Sequence, residues 1–552
     1  MFFKLKKYDA NKEFERLLKE REDDVFRVIN AKSNEKKRRE KSAGLLRWYL
    51  HNTGTDNGAP QLSSEEIESI KDTWNDIWDL GIIKTDWYKM YAYKTGKFDP
   101  SYIPSDIHYY YVEWNKIDFE YHRAFLDKNY IDIVLPTMKH PPVLIRKIHG
   151  FYLDKNFRNI GLDSAVDLIY DNREDGVVVK ISISSFGGSG VSFLDLSSTK
   201  EDIRAALTKA KDIHVEKVIK QHPEMAKMNP SSVNTIRFIT AIIEGEPVLL
   251  SACVRIGNAG SKVDNFSSGG VGCGIQNDGT LNSFGFTQIG ERIDQHPNGF
   301  NFSEGRIPNY EHVIEEVKRL HMCVPVFGIV NWDICIDPSG EPVLVEYNVG
   351  GGGIDIHQYN NGPVYGQYRE KIISDVFKDF TVRDGNLDYN FSTQHNEVTI
   401  KDGSYHISTL SVPAKLMEKP VKIIASDAFK GRTKLKTLSI YADLEEIQYC
   451  AFYNCSKLSK IVFHGKVKHI GRSAFNNCPK LLTVQLPQGT ESIEMRAFSN
   501  CKRLKDIFIP ESVREIGEEA FLNCSRKLTI HTIEGSFADR YAQKNGICVK
   551  YS

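Results

Sequence analysis

Apolar positions follow two regimes along this chain. Up to about residue 380 they switch between helical and strand spacing, and beyond Asp384 they recur at a fixed interval. Residues 1 to about 55 read as helical and highly charged, with the basic stretch 34–41 (NEKKRREK) on a solvated helix face. A helix follows: Ser63 and Glu66 form a capping box, Ile67, Ile70, Trp74, Ile77 and Trp78 share one face, and Gly81 ends it. Trp87 to Trp114 is dense in Tyr and Trp, is broken by Pro100 and Pro104, and reads as a packed, irregular connector. An N-terminal helical region is therefore expected over 1–115.

From there to about 385, strands and helices mix as in an α+β or α/β enzyme. Strands are expected at Val143–Ile148, Val177–Ile183 and Asp212–Lys220, and a hairpin around Gly245 joins Thr235–Glu244 to Pro247–Ile256. Pro308–Met322 reads as a helix with proline near its start. It leads into a second hairpin, Val326–Ile336 and Pro342–Tyr347, closed by the turn Asp337-Pro338-Ser339-Gly340.

After a polar stretch, 396–552 becomes periodic. The dipeptide Ala-Phe ends at 429, 452, 475, 498 and 521, a repeat of 23 residues. Leu435, Leu458, Leu481 and Leu504 keep that register, as do Leu438, Ile461, Val484 and Ile507; it slips at Leu528. A 23-residue period with an L-x-x-I-x-I strand predicts a leucine-rich-repeat solenoid in which each unit buries its apolar edge on the next. The stretch from Gly535 to Gly546 reads as a capping helix.

Length and composition narrow the class. A chain of 552 residues exceeds one core. Lys+Arg 72 against Asp+Glu 72 gives no global pull towards nucleic acid or an anionic membrane. No apolar run approaches the ~18 residues of a membrane span. The start lacks an apolar leader core, so a reducing cytoplasm is the expected compartment. The ten cysteines form no CxxC pair, and Cys455, Cys478, Cys501 and Cys524 share the 23-residue interval, which marks a packing position.

The second hairpin carries candidate chemistry. Glu346 and Asn348 are two apart and so share a strand face, onto which the hairpin can fold Asp333. Two carboxylates and an amide suit Mg²⁺, a hard ion that bridges protein oxygens to nucleotide phosphates; solvated strand-end side chains would be the bland alternative. Lys180 precedes the loop Ser184-Ser185-Phe186-Gly187-Gly188-Ser189-Gly190. Its glycines let backbone N–H groups approach phosphate, and the lysine adds a point charge.

A lysine, a lysine with a Gly-rich loop, a linker with Glu, arginine strands and Asp…Glu-x-Asn, in that order, resemble the ATP-grasp superfamily. Tyr102-Ile103-Pro104, Phe125 to Asn129, Pro230 to Arg237 and His296-Pro297 are similar to its sugar-transfer-associated branch over roughly 62–380. The resemblance implies two α+β subdomains clasping ATP, with one or two Mg²⁺ ions on Asp333, Glu346 and Asn348. Lys128 and Lys180 would contact phosphates, the 184–190 loop would close over them, and the backbone of Glu216, Lys217, Val218 and Ile219 would meet adenine. His222 and Glu224 are both candidates for the ribose. Arg237, Arg255, Lys262 and Asn265 would be catalytic, with Asp264 beside them as a substrate or phosphate contact.

The implied reaction is carboxylate–amine ligation through an acyl-phosphate on small-molecule substrates, in surface-polysaccharide or glycoconjugate modification. A kinase acting on a hydroxyl, a ligase acting on a peptide recruited by the repeats, and a non-catalytic scaffold stay open. The repeats resemble the BspA-like class and are expected to bind a peptide, protein or glycan, or a second copy of the chain. His357 is open between a substrate contact and a structural histidine.

Overall fold

The computed structural model describes residues 35–78, 81–183, 190–377, 381–384, 387–392, 397–403, 407–416 and 419–551. The helix expected over 1–34 and the loop residues Ser184, Ser185, Gly187, Gly188 and Ser189 lie outside them. One compact unit takes in Glu40–Thr73 and Ile83–Val376; a second is built on Phe377–Ser552. Among the described residues no helix is long and apolar enough to cross a membrane.

Helix α1 (Glu35–Asn52) is not solvated throughout: Leu45, Leu46, Trp48 and Tyr49 are buried, at helical spacing, on one face. The Ser63–Glu66 capping box forms reciprocally, at 2.7 and 3.1 Å. The single helix expected across Ile67–Trp78 is interrupted at Trp74, leaving α2 (Ser64–Thr73) and a short turn of helix at Asn75–Trp78. Helix α3 (Asp86–Thr95) buries Trp87, Tyr88, Met90 and Tyr91, and a π-helical turn follows at His108–Val112.

Two antiparallel sheets make the two α+β lobes of this unit. The smaller has five strands, β1 (Val143–Ile148), β2 (Phe151–Asp154), β3 (Val177–Ile181), β4 (Ser192–Leu194) and β5 (Ile213–Lys217), in the order β2-β1-β5-β3-β4. Helices α4 (Gly161–Asn172) and α5 (Lys200–Thr208) bury Val166, Ile169, Ile203 and Leu207 with Val177, Val179 and Val215.

The larger sheet has seven strands. These are β6 (Thr235–Ile243), β7 (Glu246–Ile256), β8 (Val271–Ile275), β9 (Leu281–Phe286), β10 (Arg292–Ile293), β11 (Ile329–Ile336) and β12 (Pro342–Asn348), in the order β10-β9-β8-β7-β6-β11-β12. Every residue of β11 is buried, Asn331 and Asp333 included among its apolar neighbours; α6 (Tyr310–His321) packs Val313, Val317 and Leu320 into the same core. Helix α7 (Asp355–Asn361) follows the glycines 350–353.

The second unit is the expected solenoid. From Thr437 to Thr532 parallel strands pair rung to rung with an offset of 23 residues, as in Leu438 with Ile461 and Ile507 with Ile530, while the end rungs depart from it, Thr409 pairing with Thr437 and Thr529 with Cys548. The slip at Leu528 is confined to the turn, because the strand after it keeps that offset. Phe429, Phe452, Phe475, Phe498 and Phe521 stack face to face at 5.1 to 5.8 Å between neighbours. The recurring cysteines are thiols rather than disulfides: Cys455, Cys478, Cys501 and Cys524 each donate to the carbonyl of a ladder phenylalanine, at 3.1 to 3.4 Å. Asn454, Asn477, Asn500 and Asn523 hold left-handed backbone, φ 56° to 60°, which asparagine tolerates better than most residues. Helix α8 (Phe537–Lys544), capped by Ser536, ends the stack, and one more strand, Cys548–Tyr551, pairs after it.

Candidate nucleotide-binding site

The two lobes enclose a cavity of about 820 Å³. Lys180 of β3 reaches it beside Glu216 of β5, and their side chains meet at 2.5 Å. Glu216 also contacts His214 Nε2 at 3.1 Å. Burial opposes the charge on Glu216, yet Lys180 and His214 together pull its carboxyl down to about 2. Burial likewise opposes the charge on Lys180, and Glu216 more than offsets it, so the ammonium is held above its ordinary range.

Opposite lies the β11–β12 hairpin. Asp333 and Glu346 are cross-strand partners and so face one way, and Asn348, two residues on, faces with them. All three line the cavity. Arg237 of β6 grips Asp333 in a fork, Nε and Nη2 each 2.7 Å from a carboxylate oxygen, and Arg255 of β7 adds Nη1 at 3.0 Å. Arg255 Nη2 then reaches Asp264 at 2.7 Å and Asn265 at 3.1 Å. Asp264 is fixed in turn by the backbone N–H and hydroxyl of Thr235. Burial would raise the Asp333 carboxyl, but the two guanidiniums keep it below the usual carboxylate range. Lys128 meets Glu346 at 2.8 Å. Lys262 stands at the rim, its side chain 61% exposed, 3.7 Å from Asp195.

Mg²⁺ requires oxygen donors at this site. Among the described residues no three His, Cys, Asp or Glu side chains converge as a metal cage. Both Asp333 oxygens are engaged by arginine and one Glu346 oxygen by Lys128, which leaves the second Glu346 oxygen and Asn348 facing the cavity. An oxygen-only set of this kind fits an ion that takes one or two carboxylates and completes its shell with phosphate and water.

All four linker residues, Glu216, Lys217, Val218 and Ile219, line the cavity, but the N–H groups of Lys217 and Val218 are bonded to the carbonyls of Pro142 and Gly176, at 2.9 and 3.1 Å. Neither ribose candidate lines the cavity: His222 caps the helix Pro223–Met228 and Glu224 pairs with Lys227 at 2.6 Å. Gly190 has φ 81°, and a Cβ there would lie 2.4 Å from the Ile181 side chain, so the described end of the Gly-rich loop requires glycine. Lys147 of β1 lies off the cavity lining, its ammonium bonded to the carbonyls of Leu207 and Ala210.

Apart from His357, the far end of the cavity comes from residues that sequence reasoning passed over. Leu45, Trp48 and Tyr49 of α1 and Tyr109 and Tyr110 of the π-helical turn line it, with Asp355 and His357 of α7. Asp355 is buried and accepts from Tyr49, Tyr91 and Ser105, at 2.5, 2.8 and 2.5 Å, with no cation among these partners. His357 bonds Ser251 at 2.9 Å; burial first, then Arg237, lower it to about 3, so it is neutral. The aromatic density of 87–114 was the one local signal for this wall.

Residues 163–372 match the family model described as sugar-transfer associated ATP-grasp, and 399–538 match six copies of the BspA type leucine rich repeat region. The chain carries an ATP-grasp domain and a BspA-type repeat domain. The family match begins beyond Lys128 and α1, so the aromatic wall lies outside it. Among solved structures, a leucine-rich repeat protein of T. pallidum is 27% identical over 26% of this chain and 68% of its own, with a TM-score of 0.25. One from Bacteroides ovatus is 30% identical over 27% of this chain and 46% of its own, with a TM-score of 0.24. D-alanyl-alanine synthetase A from Vibrio cholerae is 12% identical over 46% of this chain and 65% of its own, with a TM-score of 0.29. The chain thus spans about half of the second of these and just under two thirds of the third. No curated protein matches the chain.

Proposed function

We propose that this protein is an ATP- and Mg²⁺-dependent ligase that joins a carboxylate to an amine through an acyl-phosphate, in surface-polysaccharide or glycoconjugate modification. The observation that carries the reading is the convergence of Lys128, Lys180, Arg255, Asp333, Glu346 and Asn348 on one cavity, from segments far apart in the chain. On this reading Lys128 and Lys180 hold the ATP phosphates, and the Ile219 end of the linker receives adenine. Glu346 and Asn348 would hold Mg²⁺, with Asp333 kept beside them by the two arginines, and the ion would supply charge neutralisation at the transferring phosphoryl group.

A carboxylate oxygen of the donor attacks the γ-phosphorus and ADP leaves. The bound ammonium gives one proton to water, the freed amine attacks the acyl carbon, and phosphate leaves with the electron pair of the broken C–O bond and takes up the second proton. Arg255, pinned between Asp333 and Asp264, is already oriented when negative charge builds on the phosphoryl and carbonyl oxygens, so it stabilises that charge without reorganising. Arg237 fixes Asp333, and Lys262 and Asn265 contact substrate at the rim. Asp355, a buried carboxylate whose side-chain partners among the described residues are the hydroxyls of Tyr49, Tyr91 and Ser105, suits the ammonium form of the incoming amine. The working unit would be 116–385, with part of 1–115 walling the acceptor end.

The test is a screen of acidic sugars against amino acids with ATP, following ADP and phosphate together. Equal amounts of both, with an amide product, is the expected result. ADP without phosphate would make the protein a kinase of a hydroxyl acceptor. No turnover, together with no ATP binding, would leave the repeats as the function.

A further inference from the structure

A column of like charge runs along one edge of the solenoid. Lys434, Lys457, Lys480, Arg503 and Arg526 occupy one position of five successive repeats, 23 residues apart, and all five are exposed. The turns that carry them, 433–437, 456–460, 479–483, 502–506 and 525–529, hold two, two, one, three and two basic residues in turn. Their single acidic residue, Asp506, is already paired with His531 at 2.8 Å. Lys457, Lys480, Arg503 and Arg526 make no ion pair among the described residues.

The same architecture neutralises charge where folding alone decides. Lys422, Glu445, Lys468, Glu491 and Arg514 form another 23-residue column, alternating in sign, and Glu445 pairs with Lys468 at 2.5 Å and Lys422 at 3.5 Å. Successive rungs lie about 4.8 Å apart, the spacing of neighbouring strands, and like charges stacked at that pitch repel. The uniform column therefore gains nothing from the fold itself. The chain's neutral total conceals it.

We infer that this edge binds a linear acidic polysaccharide. A run of equally spaced cations matches a polymer with a carboxylate on each sugar, because one ring is comparable in length with one rung. The five turns contain no aromatic residue, so they lack the stacking platforms that single-stranded nucleic acid uses. They also lack the apolar centre of a protein interface: Leu482, 40% exposed, is their single exposed large hydrophobic. The inference rests on the repeats alone and stands whatever reaction the cavity carries out.

The experiment is calorimetric titration of the full chain with a polygalacturonate oligomer at low and high salt. Wild type is expected to bind and to weaken steeply with salt. Lys457→Gln/Lys480→Gln/Arg503→Gln should bind about tenfold or more weakly, with a shallower salt dependence, and Arg503→Gln alone about threefold more weakly. Glu445→Gln/Glu491→Gln on the alternating column should not bind more weakly than wild type. Unchanged thermal melting checks that these exposed substitutions leave the fold intact. Equal binding by the triple variant, equal binding of neutral dextran, or tighter binding of oligo(dT) would each overturn the inference.

Discussion

Lys180 with Glu216 in the cavity and Lys468 with Glu445 on the solenoid are ion pairs of the same length, 2.5 Å. Their side chains are 13% and 7% exposed in the first pair and 46% and 41% in the second. Distance does not separate them; solvent does. Removing one partner of the buried pair strands a charge away from water, whereas the exposed pair returns both ions to water at little loss. The ATP-grasp unit gathers charge from remote segments and buries it to position chemistry. The solenoid repeats its charge at a fixed interval and displays it.

Five substitutions or conditions press on that contrast. Lys180→Met should cost about 3–5 kcal/mol of stability in chemical denaturation, and Lys180→Met/Glu216→Gln should recover much of that loss while ATP binding stays lost. Phe475→Ala, in the middle of the phenylalanine ladder, should cost about 3–5 kcal/mol in the repeat unit and leave ATP binding unchanged by calorimetry. Titration with acid sharpens the comparison. Glu216 is depressed from 4.5 to about 2, so its contribution is complete above pH 4.5 and is lost as pH falls towards 2. That window is worth about 3 kcal/mol and should flatten in Glu216→Gln melts. Asn500→Ala, which forces alanine into left-handed backbone, should cost about 1–2 kcal/mol. Lys468→Gln, last in size, should leave the melting temperature of the repeats unmoved; a clear drop would erase the distinction between buried and displayed pairs.

The repeat unit was legible because its contacts are local in period: a residue's neighbour on the next rung lies 23 positions on in the sequence. The β11–β12 hairpin was legible for a related reason, since a tight turn places Asp333 across from Glu346. The far wall of the cavity was not. Asp355 meets Tyr49 and Tyr91 across more than 260 residues, and no spacing rule joins them. The reading of 34–41 as a solvated face gave no hint that the same helix turns Trp48 and Tyr49 inward a few residues later. His222 and Glu224 lie off the cavity lining because a proline-started helix takes the first as its cap and the second into an i,i+3 pair. The break at Trp74 was equally hidden, as apolar spacing continues through it.

The most direct measurement is calorimetry of ATP binding to wild type and Glu346→Gln, each with Mg²⁺ and with EDTA. Mg²⁺ should tighten ATP binding to wild type, and the variant should lose that gain while binding ATP in EDTA at least as well as wild type, because one negative charge beside Lys128 is gone. A variant that keeps the full Mg²⁺ gain, or a wild type that does not bind ATP, would contradict the assignment of this cavity as a nucleotide and metal site.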